Sequence, residues 1–107
     1  MNAKRKGNAG ERELLEILQG HGVAIRNDQR YIGGVGNPDI SFVTAGRRFH
    51  VECKRCEALN IHAAMRQAES DCREALPIVA HRRNREKWLV TMPLDVFLEV
   101  TRDAESV

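Results

Sequence analysis

Apolar residues recur along this chain in two rhythms. From about Gly10 to Gln19, Leu14, Leu15 and Leu18 repeat at helical spacing with Ile17 at their edge, which predicts a helix with one buried stripe. Asn8 precedes Glu11 by three residues, as in a capping-box variant, and Gly20 and Gly22 mark the stop. "VAIRN" reads as a short strand and "YIGGVGNPD" as a glycine-rich loop punctuated by Pro38. The rhythm then changes to period two, predicting strands over 39–44 and 47–54. A second helix starts near Asn60, its N-cap, with Ile61, Ala64, Met65, Ala68 and Cys72 on one face and Pro77 at its end. "PIVAHR" and "KWLVTM" form a hairpin with its tip near Asn84, and "PLDVFLEV" closes as a helix with Pro93 in its first turn. The order is α-β-β-β-α-β-β-α, a mixed α/β domain.

The period-two segments specify their own pairing. A turn at Ala45-Gly46 sets Phe42 opposite Phe49 and Ile40 opposite Val51, two apolar pairs on one face. On the other face Ser41 meets His50 and Asp39 meets Glu52, with Lys54 two residues further on. A slip of one residue would set Ile40 against Glu52 and waste the apolar face. Ala at positive φ is a costly turn residue, and a longer loop of the same parity would keep the pairing.

Composition narrows the class. A chain of 107 residues makes one domain, and 42% hydrophobic with 30% charged residues describes a globular protein. No apolar run reaches the roughly 18 to 20 residues of a membrane span, and the basic start is not followed by a secretory apolar segment. Cys53, Cys56 and Cys72 cannot all pair within the chain, so reduced thiols in the cytoplasm are expected. Net charge is only +2, but its basic residues cluster at Lys4, Arg5 and Lys6 and again at Arg82, Arg83, Arg85 and Lys87. Such clusters suit phosphate contacts, and equally a solvated tail and hairpin tip. The ends, 1–7 and 102–107, read as tails.

Against this background the Asp39, Glu52 and Lys54 patch stands out. Directly opposed strand residues have Cβ atoms about 4.5–5.5 Å apart, and two carboxylates that close repel unless a cation lies between them. Mg²⁺ takes one or two carboxylates plus water and phosphate oxygens; it can acidify water and neutralise charge on a phosphoryl group. An adjacent lysine can orient a nucleophile or stabilise the transition state. Whether Lys54 also acts as a base stays open, because carboxylates raise its pKa while a metal lowers it. The bland alternative is a surface ion pair contributing under about 1 kcal/mol.

"NPDI" (Asn37 to Ile40) and "VECK" (Val51 to Lys54) resemble the PD-(D/E)xK nuclease signature. The wider pattern over 7–98, with "GNAGERELLEIL", "GGVGNPDI" and "PIVAHRRNREKWLV", is similar to archaeal Holliday-junction resolvases and related small phage and bacterial nucleases. The resemblance implies a restriction-endonuclease-like α-β-β-β-α-β core with a central mixed sheet flanked by helices. It implies a DNA endonuclease that uses Mg²⁺, with Mn²⁺ as a substitute, and leaves 5′-phosphate and 3′-hydroxyl ends. Asp39, Glu52 and the backbone carbonyl of Cys53 would hold the metal, with Glu11 joining directly or through water. Lys54 would be the catalytic lysine, and Gln67 a polar group reaching the site. Glu11 also has a competing role in the capping box, and Gln67 one as a solvent-facing side chain.

DNA contacts are expected from Lys4, Arg5, Lys6, Arg30, Tyr31, Gly34, Arg82, Arg83 and Arg85. A symmetric four-way junction needs two cuts, which suits a C₂ homodimer. No base-edge reader stands out, which favours selection of branched DNA by shape; flap, nicked and linear DNA remain compatible. The rivals are a nucleic-acid-binding module without chemistry and an interaction domain with an accidental motif. Structural zinc is not expected: His50 and Cys53 face opposite sides of a strand, and nothing completes four ligands with Cys56 and His62. "GGVG" lacks the helix and lysine of a nucleotide-binding loop.

Overall fold

The fold is described from a computed structural model covering residues 3–27 and 39–102, with residues 3–8 and 39 described by their backbone. The elements are α1 (Ala3–Gln19), β1 (Val23–Arg26), β2 (Asp39–Thr44), β3 (Arg47–Arg55), α2 (Ile61–Asp71), β4 (Leu76–Arg82), β5 (Leu89–Thr91) and α3 (Leu94–Arg102). Their order is the one the sequence pattern predicts. The glycine-rich loop, apart from Asp39, and residues 103–107 lie outside the described residues.

α1 corrects one expectation. It begins at Ala3 rather than near Gly10, so the stretch expected as a tail is helical from that point. Ala, Lys and Arg are strong helix formers, and one glycine costs the helix only about 1 kcal/mol. Asn8 and Glu11 therefore sit inside the helix, and the capping-box role of Glu11 falls away. The C-terminal end is as expected: Gly20 N–H donates to the Ile17 carbonyl at 3.1 Å and His21 N–H to that of Leu18 at 2.9 Å.

The five strands run in the spatial order β1-β2-β3-β4-β5. Only β3 and β4 are parallel, joined by α2; the other neighbours are antiparallel. β2 and β3 adopt the predicted register, from Asp39 opposite Glu52 to Thr44 opposite Arg47. Ala45 (φ 52°) and Gly46 (φ 74°) both take the left-handed conformation, the requirement of a two-residue hairpin turn matched to strand twist. Phe42 and Phe49 lie 6.3 Å apart between ring centroids.

Alternation divides the core by face. Leu14 from α1 and Val96 from α3 pack with Ala24, Ile40, Phe42, Val51, Cys53, Ile78 and Ala80 on one face. On the other, Ala64 and Ala68 of α2 pack with Val79. α2 starts at the predicted cap: Asn60 Oδ1 accepts from Ala63 N–H at 3.0 Å. It ends earlier than Pro77, at Asp71 with Cys72 as C-cap. Arg73 turns left-handed at φ 51°, and Pro77 becomes the second residue of β4, near a strand start where a missing N–H is tolerated. Cys72 is correspondingly half-buried rather than part of the apolar stripe, its thiol donating to the Glu69 carbonyl at 3.2 Å.

β4 and β5 form the predicted hairpin, and Arg85 at φ 63° lies beside Asn84 at its tip. Pro93 immediately precedes α3, its carbonyl accepting from Phe97 N–H at 3.1 Å. No helix among the described residues is long and apolar enough to cross a membrane.

Candidate active site

Three polar residues alternate along the α2-facing side of β3: His50, Glu52 and Lys54. Glu52 is fully buried and His50 is 6% exposed. Lys54 Nζ lies 3.5 Å from Glu52 Oε1, and His50 Nε2 lies 3.8 Å from Glu52 Oε2. Across the hairpin, the Asp39 backbone stands in register with Glu52. α2 adds polar groups from above. Gln67 Oε1 accepts from Lys54 Nζ at 3.5 Å, and Asp71, one helical turn further on, offers a carboxylate within 4.8 Å of ligand atoms on both His50 and Glu52.

Glu11 reaches β3 from the opposite face, where α1 packs. A Cβ at Gly10 would fall on the Arg55 side chain, so glycine allows α1 to sit directly on the strand and delivers Glu11 beside it. Glu11 is 4% exposed and its Oε1 lies 2.5 Å from Arg26 Nε. Its Oε2 is buried with no hydrogen-bond partner among the described residues. Burial raises its pKa above the ordinary carboxylate value, and the Arg26 charge partly opposes that. Between the two carboxylates sits Cys53, whose thiol is pushed up to about 12, first by burial and then by Glu11 and Glu52. The side chain of Cys53 is a buried thiol in the core.

The basic hairpin divides into two roles. Arg82 pairs with Glu13 of α1 and donates from Nε to the Glu86 carbonyl at 2.5 Å. Trp88 Nε1 donates to the same Glu13 oxygen at 2.7 Å. Burial tends to raise the Glu13 pKa, but these two hydrogen bonds and the charges of Arg82 and Arg55 outweigh it and leave the carboxyl below its ordinary value. Arg83, Arg85 and Lys87 are exposed. Lys4, Arg5 and Lys6 fall in the first turns of α1, while Arg30, Tyr31 and Gly34 lie outside the described residues.

Sequence pattern does not single out Arg26, Glu13, Trp88 or Asp71, and alternation places His50 on the Glu52 face without giving it a role. Asp71 carries a usable signal, being four residues after Gln67 and hence on the same helix face. The Glu13 contacts join residues 69 and 75 positions apart, and no local pattern encodes them.

The donor chemistry on the α2-facing side fits a divalent cation, a buried carboxylate with a second carboxylate position in register; Glu11, whose buried Oε2 has no hydrogen-bond partner among the described residues, lies on the other face, beside the stretch of β3 that runs on past Asp39. A five-stranded mixed sheet flanked by three helices, with this polar column on its third strand, is the restriction-endonuclease-like architecture of the PD-(D/E)xK nuclease superfamily. Residues 2–104 match the family described as archaeal Holliday junction resolvase, and the chain belongs to that family. No curated protein and no solved structure matches it.

Proposed function

We propose that the chain is a divalent-metal-dependent endonuclease that cuts branched DNA, acting as a homodimer on the two strands of a four-way junction. The observation that carries this reading is the register of Asp39 with Glu52 beside a lysine ammonium 3.5 Å from the Glu52 carboxylate, in a chain of a family named for junction resolution. Asp39, Glu52 and the backbone carbonyl of Cys53 would hold the ion, with Glu11 joining from the other face, where β3 runs on past Asp39, directly or through water. Mg²⁺ is the expected ion and Mn²⁺ its substitute. When bound, it supplies Lewis acidity at the phosphate and acidifies nearby water.

The remaining work belongs to the chain. Glu52 and Gln67 hold the Lys54 ammonium from two sides, so it is preorganised to meet charge developing on the phosphate oxygens rather than reorienting during reaction. Burial under α2 excludes water from Glu52 and strengthens these interactions. Arg83, Arg85 and the basic first turns of α1 would neutralise backbone phosphates away from the cut. Apolar Leu94, Phe97 and Leu98 of α3, with Leu89 and Val90 of β5, are exposed and supply the surface for a second copy. Three free cysteines suit a reducing cytoplasm.

The test is incubation with labelled junction, flap, nicked and linear DNA, in Mg²⁺ or with chelator. Paired cuts in the junction that chelator abolishes are expected. Binding to junctions with no cleavage under any divalent ion would replace this reading with a non-catalytic DNA-binding module.

A further inference from the structure

The polar column on β3 continues past the proposed catalytic pair. His50 lies two residues before Glu52 on the same strand face, and its imidazole is 6% exposed. Above it, α2 presents Gln67 toward Lys54 and, one turn later, Asp71 toward His50 and Glu52. One imidazole nitrogen and two carboxylate oxygens thus converge within 4.8 Å of one another. The Glu52 carboxylate has two ends: Oε1 faces Lys54 and Oε2 faces His50.

We propose that His50, Glu52 and Asp71 form a second cation site, distinct in ligand set from the Asp39–Glu52 position and selective for zinc-like ions over Mg²⁺. Mg²⁺ takes oxygen ligands and gives up water reluctantly. Imidazole suits Zn²⁺ and its neighbours. One nitrogen and two oxygens make a three-ligand zinc site with the fourth position open. Tetrahedral zinc with bonds near 2.0–2.2 Å needs ligand atoms roughly 3.4 Å apart; His50 Nε2 and Glu52 Oε2 at 3.8 Å are nearly there. Asp71 is exposed at the end of α2, so it has freedom to close the remaining gap and leaves an entry path from solvent. The cysteines are not involved. Because Glu52 is shared, an ion here holds the carboxylate that the proposed nuclease needs, which makes zinc an inhibitor of cleavage; that consequence rests on the functional reading above, whereas the site itself does not.

The experiment is a calorimetric titration of Zn²⁺ into the full chain carrying Cys56→Ser and Cys72→Ser. This background removes the two accessible thiols, while Cys53 is buried in the core on the opposite face of β3 from His50 and Glu52. One equivalent of Zn²⁺ should bind in the presence of millimolar Mg²⁺. His50→Gln and Asp71→Asn should each weaken it at least about tenfold, as loss of a ligand or its support does. Circular dichroism of each variant checks the fold, and Asp71→Asn, at an exposed position, keeps the test decisive should His50→Gln unfold. Zinc uptake that neither substitution weakens, or that Mg²⁺ displaces stoichiometrically, would overturn the site. A chain that binds zinc as expected yet cuts no DNA supports the site while removing the nuclease reading.

Discussion

A carboxylate with no exposed surface, as Glu52 has none, is costly to fold around, by on the order of several kcal/mol per ion before compensation. Lys54 supplies part of that compensation. Glu11 repeats the theme more simply. Its pKa is raised by burial, with Arg26 offsetting part of the effect. A raised folded-state value means that stability from this group is fullest below the ordinary carboxylate value and is lost as pH rises through the raised one. Glu11→Gln should therefore raise the Tm of the metal-free protein at neutral pH, and the gain should shrink as the pH falls below the ordinary carboxylate value. A gain that persisted unchanged in acid would place its origin elsewhere. At the hairpin, Arg82→Ala should lower stability through Glu13 and Trp88, by about 1–3 kcal/mol, measured by urea unfolding. Arg83→Ala with Arg85→Ala should leave stability nearly unchanged and flatten the salt dependence of DNA binding, its log–log slope falling by roughly 0.9 for each phosphate that is no longer neutralised. An unchanged slope would remove this surface from the interface.

At the scale of elements, the hairpin of β2 and β3 is legible in the sequence because both faces enforce one register: Ile40 with Val51 and Phe42 with Phe49 on one side, Asp39 with Glu52 on the other. Period-two alternation is local information, and the Ala45-Gly46 turn follows from it. The start of α1 is not legible. Glycine at position 7 and asparagine at position 8 look like a boundary, yet helix propensity on either side carries α1 through them. The end of α2 is misleading for a related reason: Pro77 has the look of a helix breaker, but it lies at the beginning of a strand. The Glu13 clamp and the Glu11–Arg26 pair depend on which sheet face a helix lands on, which only the assembled layers decide. Gly10 governs that landing for α1. Gly10→Val should push the helix from Arg55 and destabilise the fold by about 1–3 kcal/mol, with cleavage falling further than DNA binding because Glu11 moves. Equal loss of both would contradict a positioning role for this residue.

For the whole molecule, the sheet separates labour between its faces. One face, under α1 and α3, holds most of the apolar core; the other keeps a polar column between β3 and α2. β5 and α3 leave Leu89, Val90, Leu94, Phe97 and Leu98 exposed, apolar side chains that the proposed dimer would bury. Phe97→Asp should convert the proposed dimer to monomers by sedimentation and abolish paired cutting while leaving the fold intact; a variant that remains dimeric would move the interface elsewhere. Glu52 is the residue that carries the proposed reaction. Its most direct test is single-turnover cleavage of a labelled four-way junction in Mg²⁺ by the wild type and by Glu52→Gln. The wild type should cut, and the folded variant should bind the junction with similar affinity and leave it whole. Cutting by Glu52→Gln at the wild-type rate would contradict the assignment of this carboxylate to the reaction.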